Sequence, residues 1–275
     1  MSESLNKFNL AGKVVIITGG AGLMGANHAE VVIENGGTPI LWDINKTNLD
    51  RETSKLNNKY SSDCFGYCVD ITSSKSITNA FNKIVDKFNS IDVLINNAAN
   101  DPKPIVGGEN WSRFENFSEK NWEKDIAVGL TGAFLCSKII GSYMAKSNNG
   151  VILNIASDLG VIAPDQRIYQ LPEKSFAEQP VKPVTYSVTK HALIGLTKYL
   201  ATYWAENNVR VNSLSPGGIY NDQPELFVSK LTNLIPMKRM ADQDEYKSAV
   251  LFLISDASSY MTGSNLIIDG GRTCW

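Results

Sequence analysis

In Tyr186-Ser187-Val188-Thr189-Lys190 a phenol and an ammonium stand one helical turn apart, on the same face of any helix that contains them. Of the ten tyrosines, this is the one with lysine four residues on. A unit positive charge about 4 Å from a phenolate, at an effective dielectric near 20, is worth about 4 kcal/mol, or roughly three pK units. That would draw tyrosine from its reference value near 10 toward neutrality, where a general acid/base can exchange a proton with an alcohol or carbonyl. Ser157, beyond the apolar run Val151 to Ile155, can donate a hydrogen bond to the same oxygen. Alone, such a pair is an ordinary helix-surface feature and such a serine an ordinary strand-end residue. They gain meaning if the chain also holds a carrier for the hydride that an alcohol loses.

A site for that carrier is indicated near the start of the chain. Val14-Val15-Ile16-Ile17 reads as a buried parallel strand, and Thr18-Gly19-Gly20-Ala21-Gly22-Leu23-Met24-Gly25 turns it into a helix beginning near Leu23. The unpaired amides and partial positive charge of that helix start suit a pyrophosphate, and the glycines let backbone and phosphate approach closely. The next strand, Thr38 to Trp42, ends on Asp43. That is where a dinucleotide fold places a carboxylate for the ribose hydroxyls, about 20 residues past the glycines. A 2′-phosphate would face this carboxylate, and no arginine adjoins it, so NAD is expected over NADP.

The intervening elements must place these groups together. A polar helix is expected over Lys46 to Asn58, then a strand from Cys64 to Val69 ending on Asp70, which either accepts from an adenine amino group or caps the following helix. Ser73 to Phe88 reads as an amphipathic helix and Ile91 to Ile95 as a strand. Asn96-Asn97-Ala98-Ala99 follows as a turn whose small residues let a nicotinamide ribose lie against the backbone. Beyond a long loop at 100–118 come a helical pattern from Glu119 to Lys146 and the strand that delivers Ser157. The segment 158–185 shows no hydrophobic period over most of its length and contains Pro164, Pro172, Pro180 and Pro183; it is either a lid or disordered. A helix over Thr185 to Asn207, a strand over Val209 to Leu214, the turn Ser215-Pro216-Gly217-Gly218-Ile219, a helix near Glu245 to Ser255 and a strand over Asn265 to Ile268 complete the chain. Strands alternating with crossover-length helices imply a parallel sheet covered on both faces. Residues 1–275 are expected to form a single domain, with substrate loops at about 100–118, 158–185 and 218–240.

Bulk properties exclude other classes. A formal charge of -2 from 26 basic and 28 acidic residues, without a dense basic run, argues against nucleic acid. No uninterrupted apolar run approaches the roughly 18 residues of a bilayer span and no secretory pattern opens the chain, so a cytoplasmic protein without a membrane partner is expected. The four cysteines and two histidines lack zinc-site spacing, so no metal is expected.

Together, Thr18 to Gly25, Asp43, Asp70, Asn96 to Ala99, Ser157, Tyr186 to Lys190, Pro216-Gly217 and the closing Thr262-Gly263…Asp269-Gly270-Gly271 resemble the short-chain dehydrogenase/reductase family over nearly the whole chain. The resemblance implies an α/β Rossmann fold, a doubly wound parallel sheet of about seven strands in the order 3-2-1-4-5-6-7. It makes Tyr186 the acid/base, Ser157 the orienter of the substrate oxygen, and Lys190 the holder of the nicotinamide ribose that also lowers the tyrosine pKa. Cofactor contacts would come from Gly19, Gly22, Leu23, Met24, Gly25, Asp43, Ile44, Asp70, Ile71, Asn97, Ala98, Ala99, Tyr186, Lys190, Pro216, Gly217, Gly218 and Ile219. A homotetramer or homodimer is implied as well. Three departures stand out: the middle glycine of the turn is displaced, with Leu23 in the usual place; Ala99 replaces a glycine; and Gly129 stands where the family usually has a catalytic asparagine that holds a relay water.

Asp165, Gln166, Arg167, Tyr169, Gln170, Tyr220 and Asn221 are polar residues of the candidate lids and suit a hydroxyl-rich or phosphorylated substrate. Substrate contacts are expected from Ser157, Arg167, Tyr186 and Tyr220, with Arg167 facing an anion. At finer grain the glycine turn, Asp165 to Tyr169 and Ser215 to Tyr220 look like oxidoreductases of bacterial flagellin-modification and legionaminic-acid sugar pathways. The rival readings are a general polyol, gluconate or ketose dehydrogenase and, because of Gly129, an NAD-binding scaffold or regulator without catalysis.

Overall fold

The computed structural model describes residues 3–103 and 110–275. Its seven strands are β1 (Val14–Thr18), β2 (Thr38–Asp43), β3 (Phe65–Cys68), β4 (Val93–Asn96), β5 (Gly150–Ile155), β6 (Val209–Pro216) and β7 (Asn265–Ile268). All five residues of β1 are buried, as a run of β-branched side chains without polar alternation requires. Every pairing is parallel, in the order β3-β2-β1-β4-β5-β6-β7. The chain therefore leaves β1 in one direction for β2 and β3, then returns to place β4 on its other side. That reversal opens a crevice beyond the carboxyl ends of β1 and β4.

The main helices are α1 (Leu23–Glu34), α2 (Lys46–Tyr60), α3 (Ser74–Phe88), α4 (Glu119–Lys146), α5 (Val184–Tyr203), α6 (Glu225–Thr232) and α7 (Lys247–Ile254). Strand alternation divides the core into two layers. Val15 and Ile17 pack with Ala29 and Val32 of α1, Leu49 and Leu56 of α2, and Val250 and Leu253 of α7. Val14 and Ile16 pack with Ile77 and Ile84 of α3, Cys136 and Ile140 of α4, Leu200 of α5 and Trp204 just beyond its end. Asn45, Ser73 and Ser118 cap α2, α3 and α4 through their side chains. At α1 the cap is Gly22, which has no side chain to offer, so the first-turn amides are left to a ligand.

Three expectations need correcting. The segment 158–185 is built of capped short turns at Asp158–Gly160, Gln166–Tyr169 and Phe176–Glu178, held by its own polar side chains rather than by a hydrophobic period. The 218–240 region contains α6, whose Phe227 and Leu231 pack against Tyr169 and Ile168 of that segment, so the two join as one wall. Finally, α4 is long and apolar enough to cross a membrane by length and composition alone, although its charges break any uninterrupted run. Here that apolarity lines the sheet: Cys136, Ile140 and Met144 are fully buried.

Candidate active site

At the crevice lies a cleft of about 550 Å³. Of the predicted residues it gathers Gly19, Gly22, Leu23, Met24, Asp43, Asn97, Ala98, Ala99, Ser157, Tyr186, Lys190, Pro216, Gly217, Gly218 and Ile219. The carboxyl ends of β1 and β4 are stitched together there. Thr18 Oγ1 accepts from the amides of Asn97 and Ala98 at 3.0 and 3.1 Å, and Asn97 Nδ2 donates to the Thr18 carbonyl at 3.0 Å.

The glycine turn fits a pyrophosphate. A Cβ on Gly25 would fall 2.3 Å from the Gly19 carbonyl oxygen, so only glycine lets α1 start this close to the turn. Asp43 closes the adenosine end. Its Oδ2 accepts from the Ala21 amide at 3.1 Å and its Oδ1 from the Asn45 amide at 2.9 Å, which fixes the carboxylate beside the turn. Gly25 supports the turn from behind the cleft wall, and Ile44 is exposed on the loop after Asp43. Asp70 accepts from the amide and hydroxyl of Thr72, while Ser73 caps α3; Ile71 is buried against α4, where Gly132 makes room for it. Asp70 and Ile71 do not line the cleft.

The reacting half is assembled by a buried polar chain. Asn96 Nδ2 donates to Asn154 Oδ1 at 2.8 Å, and Asn154 Nδ2 to Thr197 Oγ1 at 2.9 Å, tying β4, β5 and α5 in register. Ser157 and Tyr186 are thereby brought together, with the phenol hydroxyl 3.5 Å from Ser157 Oγ. The Lys190 ammonium sits 5.7 Å from the centre of the tyrosine ring and donates to the Ile155 carbonyl at 2.8 Å.

The electrostatics of the ligand-free site differ from the sequence-based expectation. Burial pushes the Tyr186 phenol up from its ordinary value, Asp101 adds to this, and the hydrogen bond to Ser157 opposes it. Burial lowers Lys190 to about 8, with Lys182 pushing the same way. The expected drop of the tyrosine toward neutrality assumed an ammonium about 4 Å away in a moderately polar medium. Here Lys190 turns toward a carbonyl, and desolvation of the phenolate is the largest influence on the tyrosine.

Gly129 lies buried in a wide, π-type turn of α4, Ala127–Thr131. A Cβ there would meet Thr189 Cγ2 at 3.1 Å. The space that an asparagine would occupy is filled by Thr189, whose hydroxyl donates to the carbonyls of Thr185 and Tyr186.

Two of the expected substrate contacts are not at the cleft. Arg167 points to solvent, its side chain 79 % exposed, and is paired with Asp165 at 2.6 Å. Tyr220 is likewise exposed and absent from the lining, which takes Asn221 and Gln223 instead. Charged residues singled out by no motif stand in the place proposed for Arg167: Asp101, Lys103, Asp158, Lys182 and Arg272. Their one sequence signal is adjacency, since Asp158 follows Ser157, Lys182 precedes Tyr186 by a helical turn and Arg272 follows Asp269-Gly270-Gly271.

A phosphate-ready turn, a ribose carboxylate and a Ser–Tyr–Lys group at the switch point of a doubly wound sheet define a dinucleotide-dependent oxidoreductase. The comparisons agree. A family model described as enoyl-(acyl carrier protein) reductase matches residues 20–273. The chain is 33% identical to an NAD-dependent glycerol dehydrogenase of Listeria innocua, over 97% of this chain and 96% of that protein. It is 29% identical to post-translational flagellin modification protein A of Campylobacter coli, over 95% and 98%. A crystal structure of a short chain dehydrogenase from Leptospira borgpetersenii with bound NAD+ superposes with a TM-score of 0.83 at 31% identity, covering 99% of this chain and 96% of that one. The chain belongs to the short-chain dehydrogenase/reductase family. It is an NAD(P)-dependent oxidoreductase acting on CH–OH groups.

Proposed function

We infer that the chain interconverts a secondary alcohol and a ketone on a hydroxyl-rich, sugar-type or polyol substrate. The observation that carries this reading is the meeting of Ser157 and Tyr186 in a cleft whose substrate end sets charged side chains, Asp101, Asp158, Lys182 and Arg272, opposite an apolar wall of Ile168, Phe227, Leu231 and Met240. In the reducing direction the Tyr186 phenol gives its proton to the carbonyl oxygen as hydride reaches the carbonyl carbon; in the oxidising direction the phenolate form takes the alcohol O–H proton while the C–H electron pair leaves as hydride and a carbonyl forms. The nicotinamide, when bound, supplies the hydride acceptor. Ser157 holds the reacting oxygen and Lys190 holds the ribose, while Asp43 favours NAD by accepting two ribose hydroxyls and repelling a 2′-phosphate.

The glycerol dehydrogenase relative supports a polyol substrate. The flagellin-modification relative supports a second, narrower reading, a sugar intermediate of bacterial surface-glycan synthesis such as the legionaminic-acid route. A screen of polyols, hexose phosphates, amino-sugar phosphates and nucleotide sugars, followed by NADH absorbance, separates them. Turnover of amino-sugar or nucleotide-sugar compounds alone selects the glycan route, and silence with every compound removes both.

The same reading takes residues 1–275 as one cytoplasmic domain that assembles as a homodimer or homotetramer. Trp122 and Phe134 on α4 and Tyr199 and Tyr203 on α5 are exposed, and the two tyrosine rings stack at 5.8 Å. Light scattering on the purified protein tests the assembly.

A further inference from the structure

Two acid–base pairs stand at the substrate end of the cleft, beside Ser157 and Tyr186. Asp158 and Arg272 meet at 2.7 Å, with side chains only 5% and 6% exposed. Lys182 and Asp101 meet at 2.6 Å, and the Lys182 ammonium lies 3.7 Å from the centre of the Tyr186 ring. All four residues line the cleft.

The chain is shaped to deliver Arg272. Gly271 has φ +88, and a Cβ there would fall 2.9 Å from Pro236 Cγ. The Asp269 carboxylate accepts from the amides of Gly271 and Thr273, closing the turn that turns Arg272 inward. Asp158 is fully engaged by the protein: Oδ1 accepts from Ser157 Oγ and the Leu159 amide, each at 2.8 Å, and Oδ2 from Arg272 Nη1. Among the described residues Asp158 is the one acceptor hydrogen-bonded to the guanidinium, whose other N–H bonds remain for a ligand. A buried ion pair is seldom more stabilising than apolar side chains of the same volume, so stability alone gives no reason for this one.

We propose that Arg272, held by Asp158, and Lys182, held by Asp101, are specificity-determining residues that recognise hydroxyl groups on the two carbons flanking the reacting carbinol. The assignment rests on the hydride transfer inferred above. The reacting oxygen must reach both Tyr186 and Ser157; Asp158–Arg272 adjoins the serine and Asp101–Lys182 adjoins the tyrosine. A carbon chain passing through the carbinol therefore meets one pair on each side. Each pair is neutral overall, with its carboxylate holding the cation in place, and the cation's remaining N–H bonds can donate to a hydroxyl oxygen. An alkyl chain would leave those donors unpaired. The substrate class is an internal carbon of a contiguous triol, as in a polyol or an open-chain sugar.

The test compares propan-2-ol, propane-1,2-diol, glycerol and xylitol as substrates for NAD reduction by the wild type, Arg272→Met and Lys182→Met. In the wild type kcat/KM rises roughly 10- to 100-fold with each flanking hydroxyl, the worth of a hydrogen bond to a charged group. Each variant flattens one step of the series, chiefly through KM. Arg272→Met strands a buried carboxylate and needs its melting temperature checked. Lys182→Met strands only Asp101, which is 58% exposed, and keeps the test alive if the first variant fails to fold. A graded wild type whose grading survives in Lys182→Met, and in Arg272→Met if that folds, overturns the assignment while leaving the hydride transfer intact. A wild type inactive with glycerol and xylitol removes the substrate class, and this assignment with it.

Discussion

The Tyr186 hydroxyl stands 3.5 Å from Ser157 Oγ, yet Ser157 donates its own proton to Asp158 at 2.8 Å. In the ligand-free protein the serine therefore receives the tyrosine, and substrate must compete with Asp158 for the serine's hydrogen. Tyrosine remains the group able to move a proton to or from the reacting oxygen. Tyr186→Phe is expected to lower kcat by roughly 10²- to 10⁴-fold, the usual contribution of a positioned acid/base. NADH binding, followed by fluorescence titration, changes far less than kcat, because the glycine turn and Asp43 supply cofactor contacts that do not depend on the phenol. Full activity in this variant would remove tyrosine from the mechanism and revive the scaffold reading.

Lys190 gives a prediction in which activity and stability oppose each other. Burial lowers it to about 8, against an ordinary value near 10.5. Between these pH values the unfolded chain holds a proton that the folded chain has lost, so the lysine makes stability rise with pH across that window. Below pH 8 its full cost, about 3 kcal/mol, is present. Lys190→Met should abolish turnover yet stabilise the ligand-free protein at pH 7, less about 1 kcal/mol for the lost bond to Ile155. Urea unfolding at pH 7 and pH 10 measures this, and the variant's advantage should shrink at the higher pH.

His28 has the same sign at the acid end. Burial lowers it to about 4, with a side-chain hydrogen bond to Asn97 opposing. The unfolded chain protonates near 6.5, so stability falls as pH drops from there toward 4, by about 3 kcal/mol at the lower limit. His28→Leu should flatten that limb, comparing unfolding free energies at pH 7 and pH 4.5. Parallel curves for both proteins would assign acid sensitivity to other groups.

Cofactor choice rests on one carboxylate. Asp43→Asn keeps an acceptor for the ribose but removes the charge that would face a 2′-phosphate, a repulsion of about 3 kcal/mol at 5 Å and a dielectric of 20. The ratio of kcat/KM for NADP to that for NAD should rise by about two orders of magnitude. An unchanged ratio would place the discrimination elsewhere.

The cofactor half of the site was readable because its chemistry is backbone geometry, and backbone geometry is written in residue type. Glycine at positions 19, 22 and 25 after a β-branched run, then an acid at the end of the next strand, leaves few structural alternatives. The alternation of strands and helices indicates a parallel sheet covered on both faces, and the family resemblance supplies the strand order, which is the one observed. The substrate half was not readable in this way. Arg167 and Arg272 are equally cationic in the sequence; what separates them is a local pair with Asp165 that turns one outward and a glycine turn that carries the other in from the far end of the chain. Helix α6 carries little signal in the sequence because it is short and its packed apolar residues, among them Phe227 and Leu231, face a loop rather than the sheet. The tyrosine's shift is hidden from the sequence for a related reason, since desolvation depends on everything packed around a group and not on a spacing.

Gly129 offers the sharpest test of how far the family pattern can be restored. An asparagine placed there would bring its Cβ 3.1 Å from Thr189 Cγ2, and Thr189 has little freedom because its hydroxyl is bonded to the carbonyls of Thr185 and Tyr186. Thr185 is itself tied to Asp125 of α4 at 2.6 Å, so the two helices cannot simply part. The strain must pass into α5 between Tyr186 and Lys190. Gly129→Asn should therefore cost about 1 to 3 kcal/mol of stability through overpacking and lower kcat rather than raise it. Adding Thr189→Ala clears the contact, so the double variant should recover most of the lost stability, and a double-mutant cycle should show a coupling of about 1 kcal/mol or more. If the single asparagine instead raised kcat without loss of stability, the relay water would be limiting in the natural chain and Thr189 would be a passive filler.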